Sequence, residues 1–377
     1  MSWIVGAAST PYGALHHSDT LGLMSQASGA ALADAQLERG DIDGLLCGYS
    51  TTLPHLMLAT VFAEHFGLAP SYAHALQAGG ATGLAMLMLA HQLVDSGQAR
   101  YVLVVAAENR LTGQSRDSAV QTLSQVGHPA YELPFGPTIP AYYGLVASRY
   151  MHSYGATEED YAELAVLMRR HAVRHAGAQF RTPISVADVM ASRPISTPLK
   201  LLDCCPVSDG GSAFIVGKNP TNAHRVKIRG CGQAHTHQHV SVAADLTRFG
   251  AAQALARAEA DSGMSARDAT YAGIYDSFTI TLAILIEELG LAPRGEAGAM
   301  ARAGHFDLGG PLPLNTHGGL LSYGHCGAGG ALAHLVEAHL QMTERAGGRQ
   351  VPDASIALLH GDGGVLSSHV SAFLERA

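Results

Sequence analysis

Two glycines, Gly79 and Gly80 in the stretch LQAGGATGLAML, lead straight into an apolar helical pattern. A helix start presents N–H groups without intrahelical partners at the positive end of the helix dipole, so it suits a thiolate or a developing oxyanion. No side chain at 79 or 80 can act as a nucleophile, which leaves stabilisation of negative charge by the backbone. His360 opens HGDGG directly after the apolar run SIALL. A strand end in an α/β protein is where ligands gather, and the glycines allow close backbone approach. His360 is therefore read as an acid/base group or as a cap of the strand. Tyr275, in YDSFT, offers a phenol that can give or take a proton if its surroundings lower a normal pKa of about 10; it also reads as a packed tyrosine. Asp276 beside it reads as a cap of the helix suggested by TITLAILIEEL.

Two other groups have weaker patterns. HTHQH, His235 to His239, would set three imidazoles on one face of a strand, where they could bind a metal. A polar surface strand or loop is the plainer account, and no metal is expected. Cys47, Cys204, Cys205, Cys231 and Cys326 are odd in number and contain no CxxC pair, so neither a disulfide framework nor a zinc knuckle is indicated.

The elements that must position these groups can be read from the wider pattern. The chain has 377 residues and is 47% hydrophobic, enough for a large buried core. Charged residues are 14% and the net charge is −8, which argues against a nucleic-acid-binding face. No apolar run reaches the roughly 18 residues of a membrane span, and MSWIVGAASTPYGA has no basic segment before its apolar run. A soluble, cytoplasmic protein is expected. The stretch from Gly79 to Asn109 runs glycine turn, apolar helix, glycine stop, buried strand, and Gly327 to Gly364 repeats that order. Both helices are apolar around most of their circumference and need cover on several sides. The expectation is an α/β protein of two similar halves, 1–224 and 225–377, forming a five-layer αβαβα stack. An insertion over about 111–200 is expected to cover a site.

Five segments taken together resemble the thiolase superfamily, and within it the sterol-carrier-protein-type thiolases. AGGATG at 78–83 looks like the nucleophile turn, and DCCPVSDGGSAFIV at 203–216 like the strand closing the first half. YDSFT at 275–279 looks like the HDCF or NEAF segment, NTHGGLLSYGHCGAGG at 315–330 like the segment carrying GHP, and HGDGG at 360–364 like the last glycine-rich loop. The resemblance implies a duplicated, dimeric α/β enzyme whose substrate is a coenzyme A thioester, with no bound cofactor. It also implies a nucleophilic cysteine at the helix start, a helper histidine and a second cysteine. This chain has Gly80 and His360 at the two cysteine positions and Tyr275 where relatives have histidine or asparagine. His325 matches the GHP histidine, which can polarise the thioester carbonyl and stabilise an enolate. Cys326 replaces the proline and reads as a relocated nucleophile or an inert small residue.

An enolate without a covalent acyl-cysteine points to aldol cleavage or addition, with backbone N–H groups at Gly80 and Gly363 holding negative charge. The resemblance extends to cysteine-free thiolase-like retro-aldolases of bacterial steroid side-chain breakdown, which work with a small OB-fold, zinc-ribbon-type partner. The expected function is a β-hydroxyacyl-CoA lyase, with Tyr275 or His360 removing the hydroxyl proton and His325 holding the thioester oxygen. An acyltransferase using Cys326 or a partner chain is one alternative. A non-catalytic acyl-CoA or lipid carrier, or a scaffold subunit, is another. The insertion holds no specific motif that would place the coenzyme A contacts.

Overall fold

The computed structural model describes residues 2–218 and 223–377. The first half contains β1 (Trp3–Ser9), α1 (Thr20–Ala35), β2 (Gly44–Gly48), α2 (Leu58–Phe66), β3 (Tyr72–Leu76), α3 (Thr82–Asp95) and β4 (Tyr101–Asn109). An excursion follows with α4 (Arg116–Ser124), α5 (Ile139–Tyr154), α6 (Glu158–Ala172), α7 (Val186–Ala191), β5 (Pro194–Ser196) and β6 (Leu199–Lys200), before β7 (Asp209–Gly217). The second half contains β8 (Val226–His235), α8 (Ala251–Ser262), β9 (Tyr271–Ile274), α9 (Thr279–Glu288), α10 (Ala297–Arg302), α11 (Ala328–Met342), β10 (Ile356–Gly363) and β11 (Ser368–Arg376).

Nine strands are ordered β3-β2-β4-β7-β1-β8-β11-β10-β9. Counted outward from the centre, each half repeats one order: first strand, last strand, next-to-last, then second. In the first half the third strand, β3, completes the series; in the second its place is held by one parallel bridge, Ala272 to Leu314. The two halves join through antiparallel pairing of Trp3 and Ile4 with Lys227 and Val226. In each half only the last strand runs against its neighbours.

Alternation along the strands separates the layers, because successive side chains point to opposite faces. Leu103, Val105 and Ala107 of β4 pack outward with α1 and α2, while Val102, Val104 and Ala106 point inward to α3 and α11. In the second half, Leu359, Val370 and Ala372 face the same two helices, and Leu358 and Phe373 face the outer layer containing α8 and α9. The central helix α3 touches β2, β4 and β7 on one side and β8, β10 and β11 on the other. That position explains its apolar circumference: Met86 and Leu87 are fully buried, and Met88 and Leu89 partly so. The expected five-layer stack is the observed architecture.

The excursion joins the second half's outer layer. Its helices α5 and α6 pack on α9, and the Tyr143 hydroxyl of α5 donates to the Gly364 carbonyl at 3.1 Å. One sequence expectation needs correction here, and for HTHQH the plainer account, a polar surface loop, is the one observed. Asp276 does not cap α9, whose N-cap is Phe278. It accepts instead from the N–H groups of Leu320 (2.7 Å) and Leu321 (3.3 Å), and so ties the YDSFT segment to the turn at Gly319–Tyr323. The strand read through HTHQH ends at His235, and the chain turns away. His235 bonds Ser368 Oγ, His237 bonds the Val365 carbonyl, and the His239 ring lies against His128, so the three imidazoles do not share a face.

Candidate active site

The start of α3 is built by Thr82. Its hydroxyl donates to the Gly79 carbonyl at 2.6 Å and accepts from the Ala78 N–H at 2.9 Å, and Gly79 takes a φ of +57° that favours glycine. This turn meets the last glycine loop backbone to backbone: a Cβ on Gly79 would lie 2.7 Å from the Gly364 nitrogen and 2.8 Å from the Gly363 Cα. Neither position tolerates a side chain. Gly80 is constrained more sharply, because a Cβ there would fall into the Tyr275 ring and against the Asp362 carbonyl oxygen. The aromatic ring occupies the space into which a residue-80 side chain would project.

Tyr275 follows β9, with its N–H bonded to the His360 carbonyl at 2.9 Å, and it is nearly buried. Its hydroxyl lies 3.1 Å from His325 Nε2, with the rings edge to face. The Gly327 N–H donates to His325 Nδ1 at 3.1 Å, so in the neutral ring the proton is on Nε2 and points at the tyrosine oxygen. Burial, and next the nearby Arg110 cation, push the His325 pKa down to about 3, which keeps the imidazole neutral. Burial, and then Tyr143, Cys205 and Asp362, hold the Tyr275 pKa well above 10. The pair is a neutral phenol beside a neutral imidazole donor. The His325 backbone is clamped by Ser208: its N–H donates to Ser208 Oγ at 2.9 Å and its carbonyl accepts from the Ser208 N–H at 3.1 Å.

His360 is turned the other way. His369 Nε2 lies 3.0 Å from the Leu366 carbonyl, which can only accept, so His369 carries its proton there and its Nδ1 accepts from His360 Nε2 at 3.2 Å. His360 Nδ1 then accepts from the Ser371 hydroxyl at 2.8 Å. Both nitrogens are committed, and burial holds the ring neutral. Cys326 is fully buried beside Tyr12 and Gly329, and burial pushes its thiol up to about 12. A thiol so placed is protonated and shielded. Burial likewise raises the other four thiols.

Gly80, Gly363, Tyr275 and His325 are thus brought together, His360 abuts them through its backbone, and Cys326 lies behind the loop. Three neighbours had no signal in the sequence pattern: Asp362, whose carboxyl is fully buried; Tyr143, brought in by the excursion; and Arg110, one residue past β4 on the inward face. A small enclosed cavity beside Tyr275 is lined by Gly80, Leu84, Ala331 and His334. Among the described residues no His, Cys, Asp and Glu group has a metal-holding arrangement.

Comparison with known proteins bears on what this arrangement serves. Residues 2–197 match the family model "Thiolase, N-terminal domain", and residues 232–376 match "Thiolase C-terminal domain-like". The chain is 33% identical over 347 residues to a steroid side-chain-cleaving aldolase of Thermomonospora curvata, covering 84% of this chain and 85% of that protein. It is 29% identical over 380 residues to an acetyl-CoA acetyltransferase of Methanothermobacter thermautotrophicus, covering 97% and 98%. The solved structure of an Ltp2-ChsH2(DUF35) aldolase superposes with a TM-score of 0.86 at 30% identity, covering 100% of this chain and 97% of that one.

Proposed function

The chain belongs to the thiolase superfamily of acyl-CoA enzymes, and we propose that within it this protein cleaves or forms a carbon–carbon bond in a β-hydroxyacyl-CoA ester without a covalent acyl-enzyme. One observation carries the reading: Tyr275 fills the space of the missing residue-80 side chain and sets its hydroxyl on His325 Nε2. In the cleavage direction the substrate's β-hydroxyl proton passes to the Tyr275 oxygen as the β-carbon becomes a carbonyl. In the same step the electron pair of the broken bond moves onto the thioester as enolate character and the α-carbon takes the tyrosine's own proton, so the phenol oxygen never carries two protons. Tyrosine ends as it began, which suits a phenol whose surroundings oppose its anion. His325 fixes the phenol oxygen and steadies it at mid-transfer. The thioester oxygen is held by backbone N–H groups where the Gly80 turn meets the Gly363 loop.

The aldolase relatives support this reading. The acetyltransferase relative favours acyl transfer, but that chemistry needs a thiolate, and the desolvation that raises the pKa of all five thiols opposes one. The exposed edge strand β3 suits a homodimer, and the aldolase structure solved as Ltp2-ChsH2(DUF35) suggests a small partner of that kind. Among the described residues no helix is long and apolar enough to cross a membrane. The test is incubation with a panel of β-hydroxyacyl- and β-ketoacyl-CoA esters, with and without a co-expressed partner, read by mass spectrometry. A free aldehyde or ketone, a shortened acyl-CoA and no mass added to the protein are expected. Tyr275→Phe should lower the rate by about 10²–10⁴-fold; full activity in that variant would refute the role of the phenol.

A further inference from the structure

His317 is a buried polar group that the chemistry at Gly80 does not use. It lies in NTHGG, ahead of the Gly319–Tyr323 turn, and is 1% exposed, yet among the described residues neither of its ring nitrogens has a hydrogen-bond partner. Its aromatic neighbours meet it edge to face, with ring centroids 5.2 Å away for Tyr323 and 4.8 Å for His334. Buried polar groups are nearly always paired, so an unpartnered imidazole calls for a reason. The residue lines a cleft of about 320 Å³ between the end of β1, the chain just after α6 and one face of α11. Ala333, Val336, Glu337 and Leu340 make that face, at the three- and four-residue spacing that stacks side chains on one side of a helix.

The other polar groups on the wall have partners. Glu337 accepts from the Arg349 guanidinium at 2.9 and 3.1 Å and from the Thr316 hydroxyl at 2.7 Å. The Tyr323 hydroxyl donates to the Thr10 carbonyl at 3.3 Å, Ser9 shares a hydrogen bond with Ser212 at 2.7 Å, and His175 Nδ1 accepts from the Gly177 N–H at 3.0 Å. Burial, and next the neighbouring His334, hold the His317 pKa well below the ordinary 6.5, so the ring is neutral and offers one donor and one acceptor. Small apolar side chains around one unspent hydrogen-bonding group are the make-up of a small-molecule site, and the volume falls at the lower end of their range of roughly 300–1,000 Å³.

We propose that this cleft binds a small uncharged alcohol or phenol, with the hydroxyl on His317. A hydroxyl both gives and takes a hydrogen bond, which matches a neutral imidazole whichever nitrogen bears the proton. An anion would face the Glu337 carboxylate, and a cation would find that carboxylate, the one on the wall, already held by Arg349. The cleft shares no residue with the cavity beside Tyr275, so its ligand is independent of the cleavage chemistry.

The test uses para-fluorophenol as probe, followed by fluorine NMR. Wild type is expected to bind it saturably. Para-fluorotoluene, which lacks the hydroxyl, and para-fluorobenzoate, which is charged, should each bind about tenfold more weakly or worse, the worth of one hydrogen bond. His317→Leu should lose the same factor, while His317→Gln, which keeps a donor and an acceptor, should stay close to wild type. If His317→Leu does not fold, the ranking of the three probes on wild type and the Gln variant decides. Saturating acetyl-CoA should leave the titration unchanged, and a soaked crystal should show the phenol oxygen against His317. Absence of saturable binding, equal affinity for the three probes, full affinity in His317→Leu, displacement by acetyl-CoA, or water alone against His317 in the soaked crystal would each overturn the proposal.

Discussion

Putting a cysteine back at position 80 should fail, and the extent of the failure can be worked from the geometry. A Cβ on Gly80 would meet the Tyr275 ring and the Asp362 carbonyl oxygen at less than 3.0 Å, closer than real Cβ contacts come. The ring is held by His325 and the carbonyl belongs to β10, so neither yields as the end of a flexible side chain would. Overpacking a core commonly costs about 1–3 kcal/mol, and two rigid obstacles place Gly80→Cys near 3 kcal/mol, roughly a hundredfold in the folded-to-unfolded ratio. Urea unfolding of Gly80→Cys, Tyr275→Ala and the double variant gives the test. Tyr275→Ala alone should cost about 3–5 kcal/mol for the cavity it opens. In the double variant the thiol enters that cavity, so the combined cost should fall short of the sum by about 1–3 kcal/mol. An acyl adduct after acyl-CoA treatment should form only in the double variant, where the thiol sits at the helix start with room to react. Gly80→Cys unfolding within about 0.5 kcal/mol of wild type, or additivity in the double variant, would refute the reasoning.

Three further outcomes are expected. His171, His339 and His369 are held near pKa 4 by burial, below the ordinary 6.5, so the unfolded chain takes up protons that the folded chain refuses as pH falls. Stability should be complete above pH 6.5 and decline toward about 4, while the turnover of folded enzyme shows no His325 ionisation in that window; denaturation midpoints and a kcat profile check both. Asp276→Ala leaves the Leu320 and Leu321 N–H groups unpaired and should cost about 1–3 kcal/mol for each fully buried donor, with kcat reduced through the displaced His325 loop; Asp276→Asn, which keeps an acceptor, should be milder in both assays. Cys326→Ala should cost about 1 kcal/mol and leave turnover unchanged, and loss of activity with an intact fold would revive acyl transfer through that thiol.

The central layer was legible in the sequence because periodicity records burial: α3 and α11 are apolar on all sides, and the two stretches containing them repeat the same order of elements. The grouping of Gly80, Tyr275 and His325 could be anticipated because each lies in a motif with a recognisable neighbourhood. The direction in which a side chain points could not. His360 and Asp362 are two residues apart on β10 and both turn to the outward face, a consequence of the register of β10 on β11 rather than of HGDGG itself. Asp276 sits where a helix cap is expected, yet its hydrogen bonds go to residues more than forty positions away, which no local pattern encodes. Tyr143 reaches the site only because the excursion folds back on the second half.

The duplicated architecture also bears on why there is one working centre. Two central helices begin after a glycine turn, and each start has a glycine whose missing side chain leaves space for a neighbour, Gly80 before α3 and Gly327 at the cap of α11. In the second, the Glu108 side chain fills the space a Cβ on Gly327 would need, and its Oε2 accepts from the N–H groups of Thr51 at 2.6 Å and Thr52 at 3.1 Å. Glu108 ends the inward face of β4 much as the Asp362 segment ends β10. One socket is stoppered by an acid bound into the scaffold, while the other is filled by the ring of a tyrosine that faces His325. The internal symmetry is thus broken chemically where it survives geometrically, and removing the Glu108 side chain would be the direct way to ask whether the silent socket can be opened.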